Sequence, residues 1–137
     1  MLAPNGVRTE DAQVVLIDWE CAGRGAAILD LGALLLKCQC DQRGDFPAVI
    51  DEARIAAAVD GYTQWRYPSP HEQDLLLEAI RFSICWRGAW LFARFAGEGW
   101  TSSVEPLLQR IQRAHLLAEP TAHLAHISFA KEQRKTR

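Results

Sequence analysis

The sequence has no long hydrophobic run. No stretch approaches the roughly 20 apolar residues that a membrane span needs. The best, residues 28–36, is interrupted by Asp30. The N-terminus has no basic segment followed by an apolar core, so it does not read as a signal peptide, and a cytoplasmic protein is expected. Charge of one sign is also lacking. Fifteen basic against 17 acidic residues leave a net charge of −2, which gives no global pull toward nucleic acid or an anionic membrane. There is no glycine-rich phosphate loop: Gly23-x-Gly25 lacks the third glycine and the lysine of a nucleotide fingerprint. Four cysteines, Cys21, Cys38, Cys40 and Cys85, come without the other signs of a disulfide framework. Cys38 and Cys40 would point about 200° apart on a helix and cannot grip a metal together. His123-x-x-His126 shares a helix face, but no cysteine or carboxylate lies near it in sequence, which leaves reduced thiols and solvated histidines as the plain reading. No internal repeat or low-complexity segment is present.

What is there is one ordinary domain's worth of chain. The 137 residues are 49% hydrophobic and 23% charged, enough for a single modest core. Pro4-Asn5-Gly6 signals a turn. Val14-Val15-Leu16-Ile17 is a short β-branched run that reads as a buried strand. With a strand just ahead of Pro4 it would form a hairpin. From Ala26 the period becomes helical. Ile28, Leu31, Leu34 and Leu35 predict a buried helix over 27–39. A second helix is expected from Phe46-Pro47 to about Trp65, with Pro47 in its first turn. Tyr67-Pro68-Ser69-Pro70 is a break, followed by a long helix over 71–96 that Gly97-Glu98-Gly99 ends. Ser102 or Ser103 can cap a last helix to about Leu117, with Pro120 as a breaker and residues 131–137 as a basic frayed tail. The expected class is mainly α with a small N-terminal β-hairpin (1–18) that the helical part (26–128) must cover.

The chemistry concentrates in residues 14–32. Asp18 follows a strand and precedes a glycine-containing loop, so its carboxylate sits on a rigid support. Hard cations such as Mg²⁺ favour carboxylate oxygens and share them with nucleotide phosphates. An aspartate at a strand end is also a common turn residue. Asp30 can equally be a helix N-terminal residue that favours the dipole. Glu20 fits either a supporting carboxylate or a solvated one.

The order Ile17-Asp18-Trp19-Glu20, Ala22-Gly23-x-Gly25, Asp30-Leu31-Gly32 resembles the kinase-like phosphotransferases that include aminoglycoside and choline kinases. The likeness is specific over about residues 13–36. It implies the C-terminal lobe of a protein-kinase-like fold over residues 1–130. It also implies a transferase that moves the γ-phosphate of ATP to a hydroxyl of a small molecule. Asp18 would match the metal-binding aspartate, Ile17 the apolar residue beneath the nucleotide, and Asp30 a structural aspartate bracing the catalytic loop. That loop, His-Gly-Asp-x-x-x-x-Asn, is not in this sequence, which begins with Met1-Leu2 where relatives continue past the asparagine. No catalytic aspartate is therefore expected here. The Mg²⁺ and ATP of complete relatives are expected to bind weakly to this chain alone, and it is expected to be inactive alone. A partner chain carrying the N-terminal lobe is one way to complete it. The alternative is a non-catalytic helical interaction module derived from the same fold.

The helix over 71–96 carries Trp86 and Trp90 on one face, where they could wall an acceptor pocket or, on the preferred reading, pack in the core. Arg87 and Arg94 share a face that could meet an anionic substrate or pair with Glu78, Glu98 or solvent. Glu72, Asp74 and Glu78 could attract a cationic substrate, or simply start a helix well.

Overall fold

The computed structural model describes residues 6–16, 24–41, 44–98 and 104–135. Two short strands, β1 (Gly6–Arg8) and β2 (Val14–Leu16), pair antiparallel, with Gly6 opposite Leu16, Val7 opposite Val15 and Arg8 opposite Val14. Thr9 closes the turn: its N–H donates to the Gln13 carbonyl at 2.9 Å, and its hydroxyl donates to the Asp11 carboxylate. Five helices follow: α1 (Ala27–Lys37), α2 (Glu52–Thr63), α3 (Pro70–Asp74), α4 (Leu76–Glu98) and α5 (Glu105–Lys135).

The expected fold class is corrected. The body of the protein is helical throughout: every residue of the core, from Ile28 to Phe129, lies on α1, α2, α4 or α5. No described side chain of the two strands enters that core, and Val15 is exposed. The strand predicted ahead of Pro4 falls outside the described residues, and β1 begins at Gly6, a residue of the predicted turn. Two three-residue strands are too short to make a layer on which helices could pack. They form a local ladder, not a hairpin that defines the fold.

Each helix has a readable cause. In α1, Ile28, Leu31, Leu35 and Leu36 form the buried face. The Asp51 side chain caps α2, accepting from the Arg54 N–H at 3.2 Å. Residues 46–51, predicted as helix, lie outside it, because Asp51 stops the chain in an extended conformation before the first turn. Ser69 and Glu72 form a capping box on α3, with Pro70 at its start. The helix predicted over 71–96 is divided at Leu75 into α3 and α4.

The last helix differs most from expectation. α5 runs unbroken through Pro120 and on to Lys135, where a breaker and a basic tail were predicted. Proline deprives the Leu116 carbonyl of its helical partner. Leu116 is largely exposed, so water can serve that carbonyl. The buried row Ala114, Ala118, Ala122, Ala125 and Phe129 keeps its period across the proline. Burial along this row outweighs the local cost.

The helices are held by close approach as well as by area. A Cβ on Gly32 would lie 2.7 Å from the Ala79 carbonyl carbon and 2.8 Å from the Ile80 nitrogen, so α1 meets the backbone of α4 there. Arg81 joins α4 to α5 through Glu119 at 2.9 Å. Among the described residues no helix is long and apolar enough to cross a membrane.

Candidate functional site

β2 ends at Leu16, and α1 starts at Ala27. Ile17 and Asp18, the predicted nucleotide and metal positions, fall between them in sequence and lie outside the described residues, as do Trp19, Glu20 and Cys21. Asp30 is described. It occupies the first turn of α1, where a carboxylate favours the helix dipole, and it is exposed. Among the described residues it has no hydrogen-bond or ion-pair partner. The two residues after it have opposite fates: Leu31 is fully buried, and Gly32 is the contact of α1 with α4. The Asp-Leu-Gly sequence thus has a mechanical reading. It presents a carboxylate outward, anchors a leucine inward, and keeps the next position small so that two helices can touch.

Among the described residues the other candidates do not come together as a site. Glu72 is occupied by structure. One carboxylate oxygen accepts from Arg66 Nη2 at 2.6 Å and the other from the Ser69 N–H at 2.9 Å. The Arg66 bond, followed by the Ser69 contacts, holds its pKa down to about 2. Glu78 pairs with Arg81 at 2.9 Å, not with Arg87 or Arg94. Arg94 lies over the Trp90 ring, 5.7 Å from its centroid. His123 and His126 are both exposed. Among the described residues no three histidine, cysteine or carboxylate groups come together as metal ligands.

The core-packing expectation for Trp86 and Trp90 is corrected. They are 59% and 51% exposed, and Phe82, one turn earlier, is 53% exposed. α4 buries Leu76, Ala79, Ile80 and Ile84 instead. The helix is apolar on nearly every side, so sequence alone did not say which side faces the core.

One cluster escaped the sequence reading. The buried Gln39 side chain accepts from the Asp51 N–H at 2.8 Å and donates to the Asp51 carbonyl at 3.3 Å. Arg54 donates to the Cys38 carbonyl at 3.1 Å and to the Cys40 carbonyl at 3.4 Å. Burial pushes both the Cys38 and Cys40 thiols up. They therefore stay protonated at neutral pH and make poor nucleophiles. Cys38, Cys40 and Cys85 are all free thiols. The cluster ties the end of α1 to the start of α2 and is structural.

A surface crevice of about 300 Å³ is lined by Asp45, Phe46, Pro106, Gln109, Arg110 and Arg113. Its polar groups serve one another. Arg110 pairs with Asp45 at 2.6 Å, Arg113 donates to the Phe46 carbonyl at 3.3 Å, and Gln109 donates to Glu105 at 3.1 Å.

No family model, curated protein or solved structure matches this chain.

Proposed function

We propose that these residues are part of a cytoplasmic ATP-dependent small-molecule kinase, which transfers the γ-phosphate of ATP to a hydroxyl of a small substrate. One observation carries the reading: the ordered run Ile17-Asp18-Trp19-Glu20, Ala22-Gly23-x-Gly25, Asp30-Leu31-Gly32. The geometry at its end supports it. Asp30 is exposed and has no partner among the described residues, while Leu31 and Gly32 fix α1 on α4.

In this reading Asp18 holds Mg²⁺, which would neutralise charge on the phosphate oxygens. Ile17 supplies an apolar floor beneath the nucleotide. Catalysis of this type is mostly positioning and charge neutralisation, so each part must be in place. The aspartate that positions the acceptor hydroxyl belongs to a His-Gly-Asp-x-x-x-x-Asn loop that the 137 residues do not contain. The chain alone is therefore expected to bind Mg-ATP no tighter than millimolar and to transfer no phosphate.

The test is the DNA directly upstream of the Met1 codon. In-frame codons for the catalytic loop would establish the reading, and Asp18→Asn in the complete protein should then abolish transfer. A stop codon or unrelated sequence would overturn it. A second reading, a non-catalytic interaction module, is favoured by the outward aromatic residues of α4.

A further inference from the structure

The outer face of α4 is built like an interface. At about 100° per residue, Phe82, Trp86, Ala89, Trp90, Ala93 and Gly97 fall within an arc of about 100°. All six are exposed. A helix that is apolar on its solvent side as well as its core side is ordinarily covered on both. The stripe is also graded along its length. Its N-terminal part is large, with Phe82 and Trp86. Its C-terminal part is small, with Ala93 and Gly97.

We infer that this face binds a second copy of the chain, with the two α4 helices antiparallel about a two-fold axis between Ala89 and Trp90. The grading selects that arrangement. Antiparallel pairing about this point sets Phe82 against Gly97 of the other copy and Trp86 against its Ala93. Each large side chain then meets a small one, and the relation is reciprocal, as a two-fold interface requires. A parallel pairing in register would set tryptophan against tryptophan and leave the small residues facing a gap.

The size of the patch sets the strength. Three aromatic side chains, each about half exposed, offer roughly 200–400 Å² at the usual area of such groups. With the neighbouring small residues and the Arg94 stem, each copy would bury on the order of 500 Å². That is below the standard 800 Å² per partner and belongs to weak, reversible association. Arg87 flanks the stripe on one edge. A two-fold axis keeps this edge of both copies on the same side, so salt strengthens the association by screening like charges. The inference does not rest on the phosphotransferase reading, and it gives the interaction-module reading a specific partner.

Sedimentation of the full chain tests it. The apparent mass should rise from 15.4 kDa toward twice that value over roughly the micromolar to millimolar range, and rise further with added salt. Trp86→Glu, a change at an exposed position, should abolish the rise. In a Cys85→Ser background, Ala89→Cys should form an intermolecular disulfide across the axis under mild oxidation, while Glu52→Cys on α2 should not. A monomer at every concentration would overturn the inference, as would self-association that Trp86→Glu leaves unchanged or equal crosslinking at the two cysteine positions. Failure here would leave the phosphotransferase reading untouched, since the upstream codons decide that one.

Discussion

Gln39 holds Asp51 by both backbone groups, its amide oxygen accepting from the N–H at 2.8 Å and its amide nitrogen donating to the carbonyl at 3.3 Å. This pairing replaces a turn of secondary structure with a side chain and fixes where α2 begins. Gln39 is 2% exposed, so removing its amide takes away the partner of the Asp51 N–H, while the Asp51 carbonyl keeps its helical bond from the Ile55 N–H at 3.3 Å. Gln39→Leu should cost about 1–3 kcal/mol, read as a lower urea midpoint at unchanged slope. A cost under about 0.5 kcal/mol would mean that water replaces the clamp.

Gly32 stands where α1 and α4 touch. Alanine is the better helix former by roughly 1 kcal/mol, so propensity alone predicts that Gly32→Ala stabilises. The close approach to the Ala79 and Ile80 backbone predicts the opposite. Backbone cannot swing aside as a long side chain can, and overpacking of this kind costs about 1–3 kcal/mol. Net destabilisation in chemical denaturation is expected. At Gly25, where an added Cβ would meet nothing within 4 Å, the same change should be close to neutral.

Two neighbours on α5 are each expected to improve on replacement. Pro120 is exposed within an otherwise continuous helix. Pro120→Ala restores the hydrogen bond to Leu116 and should stabilise by about 1–3 kcal/mol. Thr121 is fully buried, and among the described residues its hydroxyl has no partner. Thr121→Val keeps the shape and removes the orphan oxygen, for a gain of about 1 kcal/mol. Thermal unfolding of each variant gives the comparison, with a rise in Tm expected for both.

Glu72 predicts an acid limb. Its folded pKa of about 2 lies below its ordinary value of 4.5, chiefly through Arg66. A depressed carboxylate contributes stability that is present above the ordinary pKa and lost as pH falls through the folded one. The contribution should therefore fade between about pH 4.5 and pH 2. Glu72→Gln can keep the capping box but not the charge. The difference in Tm between wild type and variant should shrink across that window. A difference constant with pH would assign the effect to the cap alone.

The legible parts of the fold were those decided by period or by a local cap. α1 was visible because Ile28, Leu31 and Leu35 repeat at helical spacing. The break before α3 was visible in Pro68-Ser69-Pro70. The missed parts depend on partners distant in sequence. The start of α2 is set by Gln39, 12 residues earlier, and no local pattern announces that. Pro120 reads as a breaker until the burial of Phe129 beyond it is known. Trp86 and Trp90 looked like core because α4 is apolar on both sides, and the placement of α1, through Gly32, against Ala79 and Ile80 settles which side is inner. Of the candidate site, the sequence order of Asp18 and Asp30 was plain, and the outward orientation of Asp30 came from the structure. The placement of Asp18 lies outside the described residues.

The Tyr67 hydroxyl donates to the Phe129 carbonyl at 2.9 Å, and their rings meet edge to face with centroids 5.9 Å apart. Phe129 is also the far end of a core that begins at Ile28. During synthesis, α1, α2 and α4 emerge with apolar faces whose cover is completed only by α5. Until Phe129 has left the ribosome the nascent chain must carry that surface uncovered, which makes the interval before α5 appears the time when it most needs a chaperone.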